Sequence, residues 1–204
     1  MEAIDRRLTG GGLRLDAPHE VGAATPSLAD ETAAMSFVAG IAARAWGPVL
    51  WAARRRDLFA PDLSQSGLAD HRVIHAEARD EEELVALMEE GLRHRGLGAV
   101  VGEAKRAGPA AMRRLRIAAE GGRTIALMLR RHARAGADPL VRASGALTSW
   151  RIGFAPPGGP GTRPCWDVEL ARQEGGEPFR TTVRSCDATG RMAPLARAAP
   201  GRSA

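Results

Sequence analysis

The residues from Gly22 to Ala29 stand where an α/β protein would bind a nucleotide, between a short predicted strand and a predicted helix. A P-loop has the pattern GxxxxGK[ST], because its glycines let backbone amides approach phosphate, its lysine pairs with the β and γ phosphates, and its hydroxyl holds magnesium. In the string GAATPSLA the first glycine is present as Gly22. Ser27 replaces the second glycine, Leu28 the lysine and Ala29 the hydroxyl residue. We therefore expect no tight nucleotide binding through this loop.

The position at which such folds place a metal-binding carboxylate supports the same expectation. Nucleotide-binding α/β folds place a metal-binding Asp at the end of an apolar strand. The matching strand here ends in AVVGEA, with Gly102 at the position of that Asp and Glu103 one residue later. A shift of one residue in a strand turns the side chain to the opposite face. Glu103 is thus predicted to be a surface or loop carboxylate.

Other catalytic and metal-binding patterns are missing from the sequence. It contains no GxSxG, no HExxH and no CxxC, and its five histidines occur singly. Cys165 and Cys186 are far apart, which favours two reduced thiols over a zinc site or a disulfide. The sequence therefore predicts no enzyme activity, no metal and no cofactor.

The basic residues are concentrated in one stretch. Residues 105–134 contain nine Lys or Arg and one acid, Glu120, a local excess of eight in a chain whose net charge is +5. Such a stretch is either a footprint for a phosphate backbone or the solvated face of a helix. No aromatic residue lies among these cations to stack on bases, so contact with nucleic acid would be independent of base sequence.

Length and composition indicate one globular domain. The chain has 204 residues, of which 44% are apolar and 26% charged. No apolar run approaches the length of a membrane helix, and the first residues lack the apolar core of a secretion signal, so we expect a cytoplasmic protein with no membrane contact. We predict a flexible N-terminal segment at 1–12, a folded domain at 13–186 and a disordered tail at 187–204.

The hydrophobic pattern predicts an α/β fold. Strands are predicted at 19–22, 49–53, 72–76, 97–101 and 124–129, alternating with helices at 27–46 and 109–120 and a helix capped by Asp80. This alternation implies a mainly parallel central sheet with helices on both faces. Three alternating segments after residue 147, joined by Gly-rich turns, predict a C-terminal antiparallel β meander. Its last strand, at 179–185, is expected to be an exposed sheet edge.

The order of segments over residues 10–190 resembles the ImuA family of RecA-like accessory proteins in bacterial damage-induced mutagenesis. The resemblance rests on GGGLRLDAPHEVGA, GPVLWAARRRDLFAPDLSQSGL, RVIHAEARDEEELVALMEEGL, LGAVVGEA, MRRLRIAAE, TIALML, TSWRIGF and CWDVELARQEGGEPFRTTVRSCDATG. It implies a RecA-like core that has lost its ATPase machinery.

The same resemblance implies a non-catalytic adaptor in translesion DNA synthesis. Its implied partners are a Y-family DNA polymerase homologue and an error-prone replicative-type polymerase subunit, together with RecA and single-stranded DNA. In RecA-like folds the loop after the strand predicted here at 124–129 reaches single-stranded DNA, which makes four arginines candidate contacts: Arg130, Arg131, Arg134 and Arg142.

Two alternatives stay open. A SulA-type cell-division inhibitor would also show a broken phosphate loop, and a weak ATPase or nucleotide sensor is the other alternative. The chain length and the full series of segments favour the adaptor.

Overall fold

The computed structural model describes residues 2–54, 60–133, 137–141, 143–157 and 162–195. The helices of these ranges are α1 (Glu2–Asp5), α2 (Leu28–Ala43), α3 (Ala60–Gln65), α4 (Glu81–His94) and α5 (Pro109–Ala119). The strands are β1 (Pro18–Ala23), β2 (Val49–Ala53), β3 (Val73–Glu77), β4 (Ala99–Ala104), β5 (Ile125–Arg130), β6 (Thr148–Ala155), β7 (Cys165–Gln173), β8 (Phe179–Arg184) and β9 (Ala193–Pro194). Within these ranges no helix combines the length and apolar character that crossing a membrane requires.

The described strands form one sheet in the order β3-β2-β4-β5-β1-β6-β7-β8-β9. Strands β1 to β6 pair in parallel, and β6 to β9 pair antiparallel. The predicted α/β class, with a mainly parallel sheet and a closing meander, is confirmed. Because parallel strands run in one direction, β1, β2, β4 and β5 all end at the same border, which we call the carboxyl edge.

Side-chain alternation along the strands divides the core into two layers, one on each face of the sheet. Helix α2 covers one face, where Phe37 packs against Trp150 and Trp166 at ring centroid distances of 5.7 and 6.1 Å. Helices α4 and α5 cover the other face around Met88 and Met112. Helices therefore lie on both faces, as predicted.

The predicted helix starts are confirmed by their caps. Ser27 Oγ accepts a hydrogen bond from the Asp30 amide, and Asp80 accepts one from the Glu83 amide. The Glu83 carboxylate accepts in turn from the Arg79 amide at 2.6 Å, which nearly closes a capping box. These local contacts fix where α2 and α4 leave the sheet.

The N-terminal segment differs from its prediction as a flexible stretch. Helix α1 and the residues after it bury Ile4 and Leu8 in the core. The Arg7 guanidinium lies 4.1 Å from the ring centroid of Phe179, and the Thr9 amide donates to the Gln173 side chain at 3.1 Å. Two apolar side chains in an otherwise polar segment are therefore enough to dock residues 2–9 on the meander.

The C-terminal segment also differs from its prediction, because residues 187–195 pack on the core where a tail was expected from Asp187. The Asp187 carboxylate accepts hydrogen bonds from Thr189 and Arg191, which close a turn. Gly190 in this turn contacts Gly67 and Gly40, where a Cβ would clash, so glycines permit the close approach. The other residues of the predicted tail, 196–204, lie outside the described ranges.

The turn carries β9 onto β8, and this changes the predicted sheet edge. β9 pairs with β8 at Val183 and Arg184, so only the end of the strand predicted to be an open edge is covered. The start of β8, at residues 179–182, has no strand on its outer side within the described residues. The opposite border of the sheet is formed by β3.

One histidine is part of the buried hydrogen-bond structure of β1. His19 lies with Nδ1 2.7 Å from Thr148 Oγ1 and Nε2 2.8 Å from the Arg14 carbonyl oxygen. Because the Arg14 carbonyl oxygen can only accept, the ring donates through Nε2, and Nδ1 accepts from the Thr148 hydroxyl, whose oxygen also accepts from Trp150 Nε1. Burial lowers the pKa of His19 to about 4, so the ring is neutral at pH 7.

This histidine should make stability depend on pH. Between the ordinary His pKa of 6.5 and the folded value of about 4, the unfolded chain binds a proton that the folded chain does not. The free energy of unfolding should therefore fall by about 3 kcal/mol as pH drops through that window. We expect urea titrations of His19→Gln to lack that part of the slope, whereas His71→Gln, at an exposed site, keeps it. Equal slopes in wild type and His19→Gln would contradict the prediction.

Candidate functional site

The degenerate phosphate loop lies at the carboxyl edge, between the end of β1 and the start of α2. A carboxylate occupies the region where a helix N-terminus would hold phosphate. Asp30 accepts hydrogen bonds from Thr25 Oγ1 at 2.6 Å and from the Phe154 amide at 2.7 Å, and it is 8% exposed. This fixed negative charge at the start of α2 satisfies the helix dipole and repels a phosphate.

The loop residues themselves serve the fold. Leu28 is 83% exposed, and Ala29 beside it is exposed, so the lysine and hydroxyl positions present apolar groups to solvent. At Gly22 a Cβ would stand 3.1 Å from the Pro139 side chain and 3.2 Å from that of Leu140. Because Gly22 has no side chain, segment 137–141 can pack against β1 on the face of the sheet opposite α2.

Glu103 is not the surface carboxylate that the sequence predicts. It is 8% exposed, and its Oε1 accepts a hydrogen bond from Trp51 Nε1 at 2.7 Å. Its Oε2 lies 2.8 Å from Arg131 Nη2. Alternation along β4 turns Glu103 toward the α2 face together with Val101, and the guanidinium just beyond β5 compensates the buried charge.

Arg131 joins this carboxylate to a second one on α2. Its Nη1 lies 2.9 Å from Glu31 Oε2, and Glu31 also accepts the His132 amide at 3.3 Å. Burial lowers the pKa of Arg131, but Glu103 and Glu31 outweigh it, so the net shift is upward. Trp51, Glu103, Arg131 and Glu31 form one network, named here the edge network, which ties β2, β4 and α2 to the residue that follows β5.

Arg130 points to the opposite face and is also internal. It is 8% exposed, its Nη1 donates to the Ala107 carbonyl at 2.5 Å, and its Nε lies 3.9 Å from Glu20 Oε2. Glu20, almost fully buried, accepts the Ser149 hydroxyl at 2.6 Å. Burial lowers the pKa of Arg130, while the carboxylates of Glu20 and Glu81 act in the opposite sense.

The structure places two of the four predicted nucleic-acid contacts, Arg130 and Arg131, in ion pairs and hydrogen bonds within the chain. Arg130 and Arg131 are committed to carboxylates and a carbonyl of their own chain, because the end of β5 enters the interior where burial requires a partner for each charge. Arg134 and Arg142 lie outside the described residues. The structure therefore brings Arg130 and Arg131 to the carboxyl edge without exposing them as a pair.

The rest of the basic stretch is divided between paired and unpaired cations. Arg114 binds Glu89 at 2.6 Å, and Arg116 binds Glu174 at 3.1 Å. Four exposed cations have no ion pair within the part of the chain that the structure describes: Lys105, Arg106, Arg113 and Arg123. The sequence excess of positive charge thus reaches the surface mainly around α5.

Neither cysteine is part of a metal or redox site in the described ranges. Cys165 and Cys186 are both free and buried, and burial raises the pKa of the Cys186 thiol to about 12. A search of the described residues for three or more His, Cys, Asp or Glu side chains that could hold a metal ion finds none.

The edge network should contribute to stability and not to DNA binding. Arg131→Met leaves Glu103 buried without its cation, and we expect the free energy of unfolding to fall by about 2–4 kcal/mol in urea titrations. Because the pair is shielded from solvent, the loss should persist in 0.5 M salt.

A matched control is Arg113→Met, which removes an exposed cation without an ion pair and should change stability by no more than about 0.5 kcal/mol. Unchanged stability of Arg131→Met, combined with weaker binding of single-stranded DNA, would restore Arg131 as a phosphate contact.

Comparisons with known proteins agree with this geometry. The chain is 41% identical over 191 residues to Protein ImuA of Caulobacter vibrioides, in strain NA1000 / CB15N and in strain ATCC 19089 / CIP 103742 / CB 15. The alignments cover 86% of this chain and 78% of each relative. No family model matches the chain.

The similarity to one solved structure shows the fold. The RadB recombinase superposes with a TM-score of 0.61 and 13% identity, over 96% of this chain and 97% of RadB, which supports a RecA-like fold. SulA from Pseudomonas aeruginosa superposes with a TM-score of 0.46 and 23% identity, over 55% of this chain and 95% of SulA.

Proposed function

The chain belongs to the ImuA family, and on this basis we propose that it is a non-catalytic, RecA-like accessory protein of damage-induced mutagenesis. In this proposal it acts in the cytoplasm during translesion DNA synthesis. It joins a Y-family DNA polymerase homologue to an error-prone replicative-type polymerase subunit, and it contacts RecA and single-stranded DNA.

One observation carries the non-catalytic part of the proposal. At the start of α2, apolar Leu28 and Ala29 occupy the positions of the lysine and the hydroxyl residue, and the Asp30 carboxylate is fixed beside them. Phosphate binding needs cations and amide donors at this point, and magnesium in a P-loop is held by the hydroxyl that Ala29 lacks. The loop provides a negative charge and two apolar side chains.

The adaptor part is supported by what the fold retains. The chain keeps a sheet of described strands that superposes on a recombinase, while the carboxyl edge is closed by its own side chains. A folded domain of this kind can hold two binding surfaces at a fixed distance and orientation, which an adaptor protein requires. The candidates for contact with the DNA backbone are Arg134 and Arg142, as predicted from the sequence, and the exposed cations near α5.

We expect the purified protein to lack magnesium-dependent ATP hydrolysis with or without single-stranded DNA. The reason is the missing lysine and hydroxyl together with the Asp30 charge. Phosphate release should equal that of a mock purification, and calorimetry should show no micromolar binding of ATP. Turnover above the mock level would remove the non-catalytic assignment.

The phosphate loop should also be dispensable in cells. Leu28→Glu adds a second negative charge at an exposed position, which abolishes any remaining phosphate binding without disturbing the core. We expect this variant to restore damage-induced mutation frequency in a deletion strain to the wild-type level. A variant that is expressed and folded but fails to complement would show that this loop takes part in the function.

A further inference from the structure

A cavity lies on the α2 side of the molecule, away from the carboxyl edge. It has a volume of about 330 Å³ and is partly open to solvent. Its walls combine the end of α2, the start of β5 and the Gly-rich segment that leads into β1. The lining residues include Leu13, Leu15, Ile41, Ile125, Arg44 and Asp5.

Large apolar side chains are exposed around this cavity. Leu15 in its wall is 40% exposed. Trp46, which follows the wall residue Ala45, is 50% exposed and donates through Nε1 to the Arg123 carbonyl, two residues before the wall residue Ile125. The other three tryptophans, Trp51, Trp150 and Trp166, are at most 4% exposed. An exposed indole beside an apolar cavity is typical of a protein-binding surface.

The charges at the rim are positive. Arg44, in the cavity wall, and Arg123, beside the Trp46 indole, have no ion pair within the described residues. The acid in the wall, Asp5, already has a partner interaction of its own. The cavity thus offers an apolar floor with free guanidinium groups at its rim.

We propose that this cavity is a docking site for a partner protein, and that it takes an apolar anchor side chain flanked by carboxylates. The volume fits one or two side chains, with Leu13, Ile41 and Ile125 around the anchor and Arg44 and Arg123 placed for the acids. Planar guanidinium groups pair with carboxylates in bidentate fashion. A nucleic acid fits less well, because the central feature is an apolar cavity and not a cationic groove.

The inference rests on the proposed function only for the choice of the partner to be tested. The experiment uses the full chain labelled with 5-fluorotryptophan and the unlabelled Y-family polymerase homologue encoded in the same genome. Fluorine NMR then reports four tryptophan environments, and Trp46→Phe identifies the resonance of Trp46. We expect that resonance to shift on binding, whereas those of Trp51, Trp150 and Trp166 stay unchanged.

Charge reversal tests the acidic character of the partner segment. Arg44→Glu should weaken binding at least tenfold, because it places like charges together. Arg113→Glu makes the same charge change on the opposite face of the sheet and should leave affinity within twofold. Thermal unfolding of both variants should match wild type.

Each other outcome has a defined meaning. A complex that forms without moving the Trp46 resonance, and that Arg44→Glu does not weaken, overturns the docking site and leaves the proposed function in place. No complex with the wild-type chain counts against the proposed joining of polymerases and removes the docking inference with it. A Trp46 shift caused by single-stranded DNA or by dimerisation of the free chain, measured in parallel, assigns the cavity to that occupant and overturns the proposal.

Discussion

A buried carboxylate requires a fixed positive partner, and the arrangement of the carboxyl edge depends on that requirement at Glu103. The cost of removing a carboxylate from water is several kcal/mol, and only close pairing with further hydrogen bonds offsets it. Arg131 provides the pairing and Trp51 the further hydrogen bond. Because Arg131 also binds Glu31, the same guanidinium fixes α2 against the ends of β4 and β5. Both oxygens of Glu103 are therefore engaged within the chain.

Internal contacts stabilise the carboxyl edge on both faces of the sheet. The described sheet superposes on that of the RadB recombinase, and its carboxyl edge is stabilised by contacts that join strands and helix directly. On the other face of β1, Glu20 and Arg130 lie below the segment 137–141, which Arg151 holds through Asp138 at 2.6 Å and Arg172 through the Leu140 carbonyl at 2.6 Å. These contacts hold segment 137–141 against β6 and β7 at this border of the sheet.

The sequence predicted the fold well because the fold follows from local signals. Hydrophobic runs marked the strands, and Ser27 and Asp80 marked the helix starts, each through a contact within three residues. The absence of a P-loop was also readable, since that motif is local. Glu103 and Arg131 were not predictable as a pair, because their contact joins residues 28 apart in the chain and depends on strand register. The docked residues 187–195 depend likewise on distant Gly40 and Gly67, although the sequence DATG was a turn signal.

The position of β1 in the sheet has a consequence for synthesis of the chain. β1 is synthesised before the other described strands, yet its neighbours are β5 and β6, and Pro18 pairs with Ala126. At translation rates of roughly 5–20 residues per second, the first strand waits about 5–20 s before even one of its neighbours exists. The backbone N–H and C=O groups on both sides of β1 are unpaired during that time, and unpaired strand edges promote aggregation. We therefore expect the insertion of β1 between β5 and β6 to be a late step in the assembly of the sheet.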